Sequence, residues 1–249
     1  MARRSVDLSP RGAALVAGFG YVVLFVFSTI ALSLVDGRVV RGDAATTASN
    51  ITASASSFRL GIASWLAVLA LDSVIAWSLY IFMKPAGSQL SLLAAWFRII
   101  YVAVAAVTLV SLLSAVQLLG RAGDSAAFGP TQLASLAMLS LKAYEFGLNV
   151  GFVFFGLHIL CLGYLILRTA FVPKVIGVLL LAAAAGYFID SIASVISPAY
   201  GDNGTLFVVF VGGPALVAEY SFAFWLLVRG GKSGPLAKPL TVPVAGSVE

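Results

Sequence analysis

Charge is scarce in this 249-residue chain. Only 10% of its residues are Asp, Glu, Lys or Arg, against about a quarter in ordinary soluble domains. Cysteine and histidine are rarer still, with Cys161 and His158 the single examples of each. One cysteine excludes an intrachain disulfide and a dithiol redox pair, and Cys161 reads as a small buried apolar residue. One histidine excludes both an HExxH metallopeptidase centre and bis-histidine haem. The GxSxG elbow of the hydrolases is absent as well. No metal and no cofactor are expected. The net charge of +5 does not point to nucleic acid, because the basic residues flank apolar runs instead of clustering on a soluble face.

Apolar residues fill the space that charge leaves. Hydrophobic residues make up 61% of the chain, and the mean hydropathy is +1.04. A hydrocarbon core about 30 Å thick takes about 20 apolar residues of helix, and six such runs are readable, at about 12–35, 60–83, 90–118, 146–167, 175–196 and 206–228. They predict an all-α polytopic membrane bundle of six transmembrane helices, with the lipid bilayer as its partner. Residues 12–229 form one transmembrane domain, 1–11 a cytoplasmic N-terminus, and the Gly/Pro-rich 230–249 a disordered cytoplasmic tail. The first run is longer than the 7–15 residues of a cleavable signal, so it is read as a span. If the spans alternate, Arg3, Arg4, Arg11, Lys84, Arg168, Lys174, Arg229, Lys232 and Lys238 share one side. Arg38, Arg41, Arg59, Arg121 and Lys142 share the other. Nine against five places both termini in the cytoplasm.

Between the runs, 36–58 reads as a Ser/Thr/Ala-rich outer loop and MKPAGSQ as a tight turn that Pro85 prevents from continuing the helix before it. Residues 131–144 read either as a short helix in the membrane interface or as an outward extension of the fourth span. Small residues at Gly147 and Gly151, and along Ala182–Gly186, predict close helix contacts.

The informative residues are the charges inside the spans. A central Asp costs about 2.5–3.5 kcal/mol on insertion, and each Leu, Ile, Val or Phe offsets about 0.3–0.6. The 11 such residues from Leu60 to Phe82 let the second span carry Asp72. Ionisable groups at such depth face the bundle interior and pair with something. At about 1.5 Å per residue from the basic end of each helix, Asp72 lies about 16 Å in. Arg98 lies about 14 Å in, and His158 and Glu219 about 15 Å each. Four helices thus place Asp, Arg, His and Glu in one layer. Asp190 sits farther out, followed by Asn149 and Glu145, which share a face at four-residue spacing. Gly212, Gly213 and Pro214 predict a helix break ahead of Glu219, a pattern by which carriers expose backbone to ions. The second helix of each three-span half also carries Asp-Ser, at 72–73 and 190–191, as inverted repeats would.

The stretch GFVFFGLHILCLGYLILRTAFVPKVIGVLLLAAAAGYFIDSIASVISP, joined by FRLGIAS, LD at 71–72, KP at 84–85, AAWFRI and the late acid of VAEYSFAFWLL, resembles the bacterial domain-of-unknown-function family 4386. The resemblance runs from about residue 10 to 230. It implies a multi-pass protein of the bacterial plasma membrane and supplies no catalytic or ligand residues. The reading the residues favour is a small-molecule or ion carrier, of unknown ligand, with a proton-linked charged layer at Asp72, Arg98, His158 and Glu219. A non-catalytic scaffold with a structural ion-pair cluster is the alternative, and an intramembrane lipid-acting enzyme a weaker one. Six spans are few for a carrier, which makes a homo-oligomer an expected assembly.

Overall fold

The computed structural model describes residues 8–120, 128–197 and 211–232. Among them are seven α-helices, two short 3₁₀ turns and no strand. The helices are α1 (Pro10–Leu34), α2 (Ala44–Ala53), α3 (Ala55–Met83), α4 (Ser88–Gly120), α5 (Pro130–Arg168), α6 (Lys174–Ile196) and α7 (Gly213–Val228). Five of them, α1 and α3 to α6, are long and apolar enough to cross a membrane, with mean hydropathies of 2.0 to 2.5. The sixth apolar run appears as α7, 16 residues long. Its expected opening at 206–210 lies outside the described residues, as does the tail from 233 onward. The chain is an all-α helical bundle of membrane-spanning character.

Local chemistry sets the helix ends. The Ser9 hydroxyl accepts from the Gly12 N–H at 3.0 Å, and Pro10 opens α1 where a missing N–H costs nothing. Lys84–Ala86 makes the 3₁₀ turn that ends α3. Gln132 Oε1 accepts from the Gly129 N–H at 2.9 Å to close the start of α5.

One loop expectation changes, and one pair of alternatives is decided. Residues 36–58 are not a plain loop. A 3₁₀ turn at Asp36–Arg38 leads to α2, whose first turn is capped by Asp43. The Asp43 carboxylate accepts from the Thr46 N–H at 2.9 Å and from its hydroxyl at 2.6 Å, which holds it below the usual carboxylate range. Thr47 Oγ1 pins the approach by accepting from Val40 N at 2.9 Å and donating to Val40 O at 3.1 Å. Residues 131–144 are not a separate interfacial helix but a continuous part of α5. Leu133, Ala137, Leu141 and Tyr144 form a buried stripe at three- and four-residue spacing along that continuous helix. At 1.5 Å per residue, α5 is about 58 Å long, so it must project well beyond a hydrocarbon core about 30 Å thick. The α2 helix packs against it.

Small residues bring the long helices together. A methyl group at Gly147 of α5 would overlap Thr108 Cγ2 of α4, and one at Gly151 would press on Tyr101 at 3.3 Å. Gly163 and Gly177 bring α5 and α6 close enough that a Cβ on either would lie 3.0 Å from the other's carbonyl oxygen. Arg11 Nη1 donates to the carbonyls of Leu226 at 3.1 Å and Gly230 at 2.7 Å, and Nη2 to Leu227 at 2.7 Å. A guanidinium thereby caps the C-terminus of α7, where carbonyls are unpaired and the helix dipole is negative. The start of α1 and the end of α7 are therefore at one end of the bundle. The α5–α6 link joins them there, because Phe171 and Pro173 share a cleft with Trp225 and Arg229.

Candidate functional site

The centre of the bundle is organised by Arg98, which is 1% exposed. Its face of α4 also carries Ser91, Ala94 and Ala105, all buried. The small residues let neighbouring helices approach the guanidinium. Arg98 Nε donates to Asp72 Oδ1 of α3 at 2.9 Å, and Nη2 reaches the same oxygen in a salt bridge. Nη1 donates to the Tyr21 hydroxyl of α1 at 2.7 Å and lies 3.1 Å from His158 Nε2 of α5. Four helices thus meet on one side chain. The guanidinium carbon also sits 5.1 Å from the centroid of the Tyr21 ring and 5.3 Å from that of Phe155, within cation–π range.

These contacts assign the protonation of His158. Arginine has only donors and remains charged, so His158 Nε2 must offer it a lone pair. Nδ1 then carries the hydrogen and donates it to the Ala94 carbonyl at 2.9 Å. Both ring nitrogens are committed, and the ring is neutral. With Asp72 ionised against Arg98, the clamp carries no net charge.

Glu219 is the remaining acid of the layer. It is 9% exposed and lies close enough to Arg98 and Asp72 for their charges to act on it. Its hydrogen bond comes from Tyr187 of α6, whose hydroxyl donates to Oε1 at a long 3.3 Å. The Tyr187 ring belongs to an aromatic group with Phe152 at 5.4 Å, Phe155 at 5.2 Å and, through these, Tyr101. So the structure brings Asp72, Arg98 and His158 into direct contact and sets Glu219 beside them on a different partner.

The secondary polar positions lie elsewhere. Glu145 and Asn149 line a cavity of about 250 Å³ at the opposite end from Arg11, with Arg41, Lys142 and Ser194 among its other walls. Asp190 is buried in α6 between that cavity and the central layer. At Gly212–Gly213–Pro214 the winding changes, with a π-helical turn at 211–212 passing into α7. Pro214 has no N–H to offer the carbonyl of residue 210, four positions earlier, and that residue lies outside the described ones.

Tyr21, Phe155 and Tyr187 escaped a search restricted to charged residues. The same depth ruler would have found Tyr21, which is ten residues from Arg11 and so about 15 Å in. Nothing in the sequence distinguished Tyr187.

A sequence model of the family described as Domain of unknown function (DUF4386) matches residues 16–230. The chain belongs to this family. An uncharacterized protein of Archaeoglobus fulgidus is 28% identical over 165 residues, covering 66% of this chain and 80% of that one. No solved structure matches the chain significantly.

Proposed function

We propose that this member of the DUF4386 family is a small-molecule or ion carrier whose transported or coupling proton binds at Glu219. One observation carries the reading. Asp72 is neutralised by Arg98 and His158 serves as a neutral acceptor, whereas Glu219 has, among the described residues, a single long hydrogen bond from a tyrosine. An acid without its own cation is costly near a membrane centre unless it takes up a proton. The winding change at 211–212, two turns before Glu219, adds a place where α7 can bend. In this reading the protein sits in a bacterial plasma membrane with both termini cytoplasmic, and six spans favour an assembly of two copies.

The test is uptake into liposomes holding the purified full chain under an imposed pH gradient, with radiolabelled pools of amino acids, sugars and organic acids. Wild type should accumulate at least one pool, and Glu219→Gln should not. No accumulation by wild type refutes the carrier, and equal accumulation by both refutes Glu219 as its proton site.

A second reading has its own support. Arg98 joins α1, α3, α4 and α5 through four hydrogen bonds, as a clamp that only fixes helix register would. A scaffold built on that clamp requires no role for Glu219.

A further inference from the structure

We infer that the groove between α3 and α4, on the lipid-facing side of the bundle, seats one anionic phospholipid of the bilayer. Its acyl chain lies between Trp77 and Trp96, and its phosphate lies at Lys84. The inference is independent of Glu219 and of transport.

Small residues make the groove. Ser73 and Ala76 on α3, with Ala95 and Ala103 on α4, leave a hollow of about 470 Å³ between the two helices. Trp77 and Trp96 wall it and are 52% and 63% exposed. Its deep end is apolar. The Ser73 hydroxyl there is spent on the Leu69 carbonyl at 3.2 Å, and Ile99, Ile100 and Ala103 complete the lining.

Length and width decide what fits. At 1.5 Å per residue the groove runs from Tyr80, about 5 Å from the end of α3, to Ala103, about 22 Å from the start of α4. That length, about 17 Å, is close to half of a hydrocarbon core about 30 Å thick. It matches one leaflet and not a whole span. Spread over that length, the hollow has a mean cross-section of about 28 Å². A helix about 10 Å across takes roughly 80 Å². The groove therefore admits a hydrocarbon chain and is too short and narrow for a helix of a second copy.

Charge decides the headgroup. The groove opens at Tyr80, and the Lys84 ammonium stands 5.8 Å from the centroid of that ring. Lys84 is exposed, and no Asp or Glu occurs from residue 73 to residue 123. Four residues after Lys84 comes the start of α4, whose first N–H groups point out of the helix. A phosphate at this corner meets an ammonium and a helix N-terminus, with no carboxylate on the adjoining turns. The corner is at the end of the bundle that carries Arg11, because Phe82 packs on Phe171 and Trp225.

A lipid seated here braces the central clamp from outside. Ala76, Tyr80 and Ala95 line the groove and also border the void of about 10 Å³ beside His158. Asp72 precedes Ser73 and Arg98 precedes Ile99. The seam that the salt bridge closes on the inside is thus the one that the chain covers on the outside. Helices in a membrane associate without a hydrophobic drive, so packed atoms in this hollow supply contacts that the helices lack.

The experiment is tryptophan fluorescence of the full-length protein in phosphatidylcholine vesicles, titrated with acyl-brominated phosphatidylglycerol or acyl-brominated phosphatidylcholine. Bromine on a chain quenches an indole that it touches. The groove's share is the quenching lost in Trp77→Phe/Trp96→Phe, since both rings are exposed and their replacement leaves the core alone. That share should half-saturate at about fivefold lower mole fraction with the anionic lipid, the size of one lysine's attraction to an anionic lipid surface. Lys84→Gln should bring the two lipids level. Equal half-saturation in wild type, or a preference that Lys84→Gln leaves intact, overturns the proposal. Quenching that Trp77→Phe/Trp96→Phe does not reduce also overturns it, because the face is then covered by something other than lipid, such as a second copy. Should Lys84→Gln not fold, wild type in about 1 M salt decides, where screening leaves a Debye length of about 3 Å. Collapse of the preference supports the phosphate seat, and an unchanged preference overturns it.

Discussion

Consider neutralising the clamp one side at a time, with Asp72→Asn, Arg98→Gln and the double variant. Asp72→Asn keeps an oxygen where Arg98 Nε and Nη2 donate but leaves the guanidinium without its counter-charge. Arg98→Gln strands the carboxylate and removes the donor that Tyr21 and His158 both accept from. Breaking one partner of a buried pair costs about 3–5 kcal/mol in soluble proteins. In a bilayer the figure should be lower, because polar groups of the unfolded but inserted chain also find partners, and hydrogen bonds there average about 0.6 kcal/mol. Charge on both sides of two of these bonds raises that again. About 3 kcal/mol for either single change weighs these effects together. The double variant leaves two neutral amides able to bond each other, so it should cost little more than one single change. The coupling energy is then about 2–3 kcal/mol.

The assay is equilibrium unfolding in mixed detergent micelles, followed by helical circular dichroism, for wild type and the three variants. A coupling below about 0.5 kcal/mol would be the size seen for independent sites. The contact would then be geometry without energy, and the layer would not be what holds α1, α3, α4 and α5 together. A double variant more stable than wild type would carry a different meaning. It would place this pair among buried ion pairs that well-packed neutral residues outperform.

Three further changes probe other parts of the bundle. Gly147→Ala pushes a methyl into Thr108 Cγ2 and should cost about 1–3 kcal/mol by overpacking. Thr108→Ser, which deletes that carbon, should recover most of the loss in the same unfolding assay. Arg11→Ala removes two bonds to the last carbonyls of α7 and one to Gly230 just beyond it and should cost about 1–2 kcal/mol. Hydrogen–deuterium exchange should rise at the end of α7 and the start of α1, and unchanged exchange there would remove the cap from the account. Asp43 is held below its ordinary pKa by Thr46, so its support of α2 is full above the unfolded value near 3.9 and lost as pH falls through the lower folded value. Exchange in Ala44–Ala53 should therefore accelerate at acid pH in wild type, and be fast and pH-insensitive, after correction for intrinsic exchange, in Asp43→Ala.

The long helices were legible because crossing a hydrocarbon core demands about 20 apolar residues in a row, and few other structures do. The charged layer was legible for a related reason. Parallel helices that start at one membrane face convert residue number into depth, so Asp72, Arg98 and His158 could be matched by counting. The α2 helix was not legible from hydropathy. It buries only Thr47 and Ile51, one turn apart, and its Ser/Thr/Ala composition hides that pair. Its signal was the cap, an Asp at 43 with Thr three residues later. The extension of α5 through 131–144 was ambiguous because an amphipathic stripe fits a membrane surface as well as it fits a neighbouring helix. Contact with α2 decides it, and α2 itself was not foreseen.

Depth matching treats Asp72 and Glu219 as equals, since both are acids about 15 Å from the same face. Geometry separates them. Arg98 spends two donors on Asp72 and one each on Tyr21 and His158, and its fork is planar, so serving a carboxylate with one edge aims the remainder elsewhere. Counting depth cannot see which edge faces which helix, because that depends on crossing angles set by contacts such as Gly147 on Thr108 and Gly163 on Gly177. Those contacts pull α5 onto α4 and α6 onto α5, which puts His158 against Arg98 and brings Tyr187 to Glu219. Small residues thus decide which acid receives the cation. Glu219 is left with a tyrosine hydroxyl, a partner that supports a neutral carboxyl or an ionised one, and this is the property a proton-exchanging acid needs and a clamp does not.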